Sequence, residues 1–487
     1  MPNALAYLML IAWPLVSLTL FLRLPLERAI LWCFIAGYLL LPQLAEFDLP
    51  LVPDMDKFSI PAVMAFGLCI YVLRKPVPIW PQPLLARLLV LLFLTCVIPT
   101  VLTNGDPILF RVLQNSDPII FITDILPGLR WRDLGSVIIN QAILLMPFLL
   151  ARRYLSDEKG QRELLLALCL AGLAYSLPAL FEVRFSPQLN TWIYGFFQHD
   201  FAQMMRQGGF RPIVFLPHAL WLAFFIFSCV VAASALARAS KDRDRTRFAF
   251  AATYLFVVLI LCKSLASLAY GLAIVPIVAL ASARWQIRLA VLIAVIAITY
   301  PMLRNLGVIP TDAILAKAEA ISAERAQSLG YRFDNEAMML ARAAENPWFG
   351  WGGWGRNLVR DLETGQIISI PDGRWIITFG TFGWLGYIAE MGILTLPIFL
   401  LAIELHRRQN RQVSPLAAPI ALILAATLAD MLLNDTLIPI TWLCAGSVLG
   451  YAERLRNPQV FYGKRSLFDG QQSMAPTTTS GGSRSIL

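Results

Sequence analysis

The sequence predicts an all-α polytopic membrane protein of about twelve or thirteen transmembrane helices, with a large helical loop on the outer side. Three observations carry this. Of 487 residues, 58% are hydrophobic and only 15% charged, and the mean hydropathy of +0.65 exceeds what a soluble core of this length needs. The apolar residues fall in runs of roughly 15 to 25, the length that crosses a bilayer as helix. Lys and Arg gather in every second loop, as the positive-inside rule requires.

The runs predict spans near residues 4–22, 29–44, 58–73, 84–102, 134–151, 163–181, 212–237, 248–262, 265–282, 287–303, 376–403, 416–433 and 437–452. The second, eighth and last are short, which leaves twelve as an alternative count. Ala4 to Leu22 has no basic region before it and no small-residue cleavage site after it, so it reads as a span and not a removable signal. The basic loops contain Arg23 and Arg28; Arg74, Lys75 and Arg87; Arg152, Arg153, Lys159 and Arg162; Arg238, Lys241, Arg243, Arg245 and Arg247; Arg284 and Arg288; and Arg407, Arg408 and Arg411. These are assigned to the cytoplasm. The alternate loops, "EFDLPLVPDMDK" and segments 103–133, 182–211 and 304–375, are assigned to the outside, with the N-terminus outside and the C-terminus inside. The chain divides into an N-terminal bundle (1–303), the large outer loop (304–375), C-terminal helices (376–452) and a tail (453–487) whose end, "SMAPTTTSGGSRSIL", has a disordered composition.

Composition also excludes some chemistry. The seven cysteines lie in or beside apolar runs without a CxxC spacing, and the three histidines are scattered, so neither a metal site nor a cofactor is expected. The net charge of +9 is spread over short loops as a topology signal, and no nucleic-acid partner is expected.

The informative residues are in the outward loops. The 304–375 loop carries eight Lys or Arg and nine Asp or Glu, and a solvated surface explains most of them. It opens with alanine-rich helical periodicity in two pieces, joined at Leu329-Gly330, and Asn346-Pro347 ends the second. "ENPWFGWGGWGRN" follows. Its glycines permit turns and close backbone approach. Trp348, Trp351 and Trp354 fit an aromatic belt at the membrane boundary, or a platform for a sugar ring beside backbone N–H groups that suit anionic oxygens. Arg332, which introduces the second helix in this reading, and Arg206 and Arg211 in "MRQGGFRPIVFLPHALW" offer fixed forks of donors suited to a phosphate. Each arginine alone also fits an ion pair or a lipid headgroup. Asp372-Gly373 is a turn before a span, and Asp372 is placed either to form that turn or to take a proton as general base. Glu390 lies deeper in the same span, where an ionisable group is costly.

These residues resemble the O-antigen ligase and polysaccharide polymerase family of bacterial membrane glycosyltransferases. The resemblance rests on "YRFDNEAMMLARAAENPWFGWGGWG", similar to that family's arginine, helix, Asn-Pro and glycine-rich turn, on "RQGGFRPIVFLPHAL" leading into a span, and on "FGTFGWLGYIAEMG" after the loop. It covers roughly residues 200 to 400. It implies a GT-C-like, metal-independent transferase of the bacterial inner membrane, facing the periplasm and using an undecaprenyl-pyrophosphate-linked oligosaccharide. Membrane lipids and other polysaccharide export and chain-length proteins are the partners it implies. Arg332 matches the loop arginine, and Arg206 or Arg211 the arginine before the earlier span. Ligases of the family usually carry a His-Asn pair before the later span; here "PDGRWI" stands instead, closer to the exopolysaccharide polymerase branch, with Asp372 as the substitute. The candidate catalytic residues are Arg332, Asp372 and Arg211. The substrate-binding candidates are Arg206, His218, Trp348, Trp351, Trp354, Arg356, Arg374 and Glu390. A ligase acting on lipid A core is the near alternative. A flippase of a lipid-linked sugar is the rival from another class, although the unusual residues gather in outward loops and not at the bilayer midplane. A structural subunit of an export complex is a third reading, in which the arginines are replaceable.

Overall fold

The computed structural model describes residues 1–48, 52–114, 120–206, 208–361, 365–407 and 414–457. Arg408, Arg411 and residues 458–487 of the tail lie outside the described residues. In chain order the helices are α1 (Ala4–Arg23), α2 (Leu26–Leu40), α3 (Ser59–Gly67, continued by a π-turn), α4 (Leu84–Thr95) and α5 (Val97–Thr103). A hairpin of β1 (Ile108–Gln114) and β2 (Ile120–Leu126) precedes α6 (Trp131–Tyr154), α7 (Glu158–Phe185) and the short α8 (Leu189–Tyr194). A second, minimal hairpin, β3 (Met205–Arg206) and β4 (Gly209–Phe210), leads to α9 (Ala219–Ala239), α10 (Asp242–Leu261), α11 (Leu265–Leu280) and α12 (Ala283–Asn305). The outer pair α13 (Thr311–Ile321) and α14 (Ala323–Ala344) is followed by α15 (Arg374–Arg407), α16 (Ala417–Asp430) and α17 (Pro439–Arg456).

Every predicted span overlaps a helix. Among the described residues seven helices are long and apolar enough to cross a membrane, with α4 and α5 counted as one, and α3, α11 and α16 are shorter apolar helices. The architecture is a multi-pass helical membrane protein. The stretch 212–218, expected at the start of a span, is instead an irregular turn, because Pro212 and Pro217 block helix and His218 caps α9. The two hairpins add β-structure that the all-α reading lacks. The expected joint at Leu329-Gly330 falls inside α14; the break is at Ser322, whose backbone is extended, and Gly330 faces Leu315 of α13. Arg332 therefore sits within a helix and does not introduce one.

The core is built around α9 and α16, whose side chains are almost entirely enclosed. Close packing uses small residues, as helices in lipid do. On α17, Gly446 and Gly450 lie one turn apart against α6, where an added Cβ would come within 2.2 Å of the Phe148 carbonyl oxygen and 2.1 Å of that of Arg152. This backbone-to-backbone seam fixes the C-terminal helix to the middle of the bundle. The long loops gather at the end where α7, α10 and α12 finish and α9, α11 and α15 begin.

Candidate functional site

At that end the sequence distant residues Arg206, Arg211, His199, His218, Arg332 and Asp372 form one cluster. Arg211 follows the β3–β4 hairpin, and its N–H donates to the Met204 carbonyl at 2.8 Å. The next residues are held by Glu182 at the end of α7, whose carboxylate accepts from the N–H groups of Ile213 (2.8 Å) and Val214 (2.7 Å). This tether buries Arg211, which is 2% exposed. Its Nε and Nη2 have no hydrogen-bond partner among the described residues. Burial first, and then the charges of Arg206 and Arg332, push its guanidinium down to about 10, while the Cys262 thiol pulls the other way. A buried guanidinium left this way is costly unless an anion completes it.

The histidines surround it as neutral donors. His218 caps α9 through Nδ1, which accepts from the Leu220 N–H at 2.9 Å, and His199 Nδ1 accepts from the Asp200 N–H at 2.6 Å. With Nδ1 occupied as acceptor, the neutral ring carries its proton on Nε2. The two rings meet edge to face with centroids 4.3 Å apart. Burial, the adjacent His199 and the arginines push His218 down to about 3, so it is uncharged near pH 7. Burial also lowers His199, against the pull of Asp200 and Asp372. Arg332 reaches into the cluster from α14, with Nε 3.7 Å from Asp372 Oδ2. Burial raises the Asp372 carboxyl above the usual range, and the Arg332 charge partly restores it. Lys263, between α10 and α11, donates to the Arg206 carbonyl at 2.8 Å.

The Trp-Gly segment is a docked turn. α15 breaks at Gly383, where φ is +63°. The turn inserts there: Trp351 and Gly352 N–H groups donate to the carbonyls of Gly380 and Thr381 at 2.9 Å each, and Trp384 N–H returns to Pro347 at 2.8 Å. Gly350, with φ +67°, has no room for a Cβ, which would lie 2.4 Å from the Thr381 backbone. Trp351 is used internally, its indole N–H donating to the Arg342 carbonyl at 2.8 Å and its ring lying 3.6 Å beneath the Arg342 guanidinium. Arg356 is also internal, donating to the carbonyls of Trp351 (3.2 Å), Pro127 (2.8 Å) and Asp106 (3.1 Å), which ties the first hairpin to this turn. Trp348 and Trp354 are 62% and 58% exposed.

Trp354 and Arg374 line a cavity of about 900 Å³ together with Asp54, Asp56, Asp133 and Asn140. Arg374 is fixed by a two-point pair with Glu390, 2.8 Å from Nε and 2.6 Å from Nη2, and stands 3.5 Å from Asp435. Thr378 donates to Glu390 as well, and Glu390 is 2% exposed. Asp372 and Arg374 flank Gly373, so the cationic cluster and the cavity are neighbours across one turn.

The structure thus brings together Arg206, Arg211, His218, Arg332 and Asp372, sets Trp354 and Arg374 at the cavity, and encloses Trp351, Arg356 and Glu390 in internal bonds. His199, Lys263 and the acidic wall were not singled out from the sequence. A signal for the wall existed in "EFDLPLVPDMDK", whose acidity had served only to assign a side. The arrangement can hold an anion of phosphate size beside a carboxylate of raised proton affinity, with room for a polyhydroxylated group alongside. No family model matches the chain, and no curated protein matches it.

Proposed function

We propose that the protein is a polysaccharide polymerase of the bacterial cytoplasmic membrane, working at the periplasmic face on undecaprenyl-pyrophosphate-linked repeat units. The observation that carries this reading is Arg211, buried beside Arg206 and Arg332 with its Nε and Nη2 unpartnered among the described residues. The leaving group of such a transfer is a lipid pyrophosphate. As the bond between the anomeric carbon and the pyrophosphate oxygen breaks, its electron pair stays on that oxygen, and preorganised guanidinium groups in a partly dehydrated site stabilise the charge. The neutral Nε2–H groups of His199 and His218 add donors without further positive charge.

The acceptor is the terminal sugar of another lipid-linked unit, lying in the cavity against Trp354. Its hydroxyl oxygen forms the new bond to the anomeric carbon, and its proton passes to Asp372. The raised proton affinity of that carboxyl suits it to the task, because a base works best with a pKa nearer the working pH. The acidic wall accepts hydrogen bonds from the remaining hydroxyls. The GT-C-like reading of the bundle belongs to the same proposal.

Steady-state transfer by the purified protein tests it. Arg211→Gln and Arg332→Gln are expected to lower kcat/KM by about 10²- to 10³-fold each, the cost of one charge-stabilising donor. Rates within about twofold of wild type for both would remove the arginines from the chemistry.

A further inference from the structure

At the opposite end of α12 and α15 is a second cavity, of about 570 Å³. Arg284 and Arg288, one turn apart on α12, and His406 on α15 stand along it, and Val291, Ala402 and Leu405 give it an apolar side. No Asp or Glu lines it among the described residues. The nearest acidic group on α15, Glu404, is taken by Arg407 at 3.1 Å. Arg288 stacks over Trp285 at 4.9 Å, and that indole is 62% exposed. Beyond Val291 the outer face of α12 continues with exposed Leu292, Val295 and Ile296.

We infer that this cavity binds an anionic phospholipid of the cytoplasmic leaflet, its phosphate between Arg284 and Arg288 and an acyl chain along Val291 and Ala402. Three features select that occupant. The site is half cationic and half apolar, matching a lipid's own division. Residues 284 and 305 are about 30 Å apart along α12, so the cavity lies one hydrocarbon thickness from the cluster at Arg211. An exposed tryptophan marks the level where headgroups meet chains. Basic cavities between helices on the cytoplasmic side are suited to such headgroups. The inference is independent of the transfer reaction.

The test uses the full chain in nanodiscs of phosphatidylcholine, with brominated phosphatidylglycerol or brominated phosphatidylcholine added. Quenching is read as the difference between wild type and Trp285→Phe, which isolates that indole. Brominated phosphatidylglycerol is expected to quench Trp285 at about tenfold lower mole fraction than brominated phosphatidylcholine. The preference should vanish in Arg284→Gln/Arg288→Gln and persist in Arg23→Gln, the basic last residue of α1, which lies outside the cavity. Val291→Phe keeps both arginines and fills the apolar side without adding an indole, so it should also abolish the preference. Equal quenching by the two lipids, an equal effect of Arg23→Gln, or full competition by inorganic phosphate alone would overturn the inference.

Discussion

Arg211 is a side chain whose burial works against the fold. Its guanidinium is enclosed, faces two other arginines and leaves two nitrogens without partners among the described residues. A structural arginine would destabilise the protein when removed. Arg211→Met should instead raise the melting temperature, by the equivalent of about 1 kcal/mol or more, while removing transfer; thermal unfolding in detergent beside the transfer assay checks both. Asp372 supplies a second prediction. Its carboxyl is raised by burial and pulled back by Arg332. Transfer that needs the ionised form rises with pH through this raised pKa, so the acid limb lies above that of a free carboxylate. Arg332→Ala withdraws a charge that lowers the pKa, and the limb of its residual activity should move to still higher pH. A limb that stays in place would separate Asp372 from the pH dependence. The sequence indicated these two residues because arginine and a pre-span carboxylate are chemically conspicuous. It did not indicate His199, since its pairing with His218 arises only when the chain between them turns back on itself.

At the scale of elements, the docking of the Trp-Gly turn into the break of α15 is the feature that sets the site's outer edge. Gly383 has φ +63°, and a Cβ there would lie 2.3 Å from the Trp348 backbone. Gly383→Ala is predicted to expel the turn, expose Trp351 and cost several kcal/mol, combining a strained φ with a backbone clash. Tryptophan emission should shift to the red, and the melting temperature should fall. A melting curve and an emission spectrum like those of wild type would contradict the docking. The spans were legible because the bilayer imposes a length and an apolarity that a single sequence displays. The β1–β2 hairpin escaped because it is shorter than any span and lies in a segment read only for its side of the membrane. The break between α13 and α14 lies at Ser322 and not at Gly330 because a single glycine is tolerated inside a helix, and Gly330 sits within α14. Arg152 shows the same ambiguity: counted as a topology signal, it is buried, donating to the carbonyls of Pro78 and Trp80.

For the whole molecule, three loops that the charge pattern sends outward meet at one end, through Arg356 with Pro127 and Asp106 and through His199 beside Asp372. The orientation itself is testable, because all seven native cysteines are buried and give little background. In intact cells, a membrane-impermeant thiol reagent added outside should label Glu345→Cys and leave Lys241→Cys unlabelled; the reverse pattern would invert the protein. Composition and spacing alone did not bring these loops together; the motif resemblance, which grouped Arg211, Arg332 and Asp372 in one catalytic set, implied it, while the added His199 and Lys263 depend on helix packing remote from the site. If this centre performs glycan transfer, the length of the product reports it. Purified protein in proteoliposomes, given undecaprenyl-pyrophosphate-linked repeat units, should build a ladder of longer glycans with release of the carrier, and the Arg211→Gln protein should not. Movement of the lipid-linked unit across the bilayer without any elongation by the wild-type protein would contradict the account and make the cluster part of a transporter.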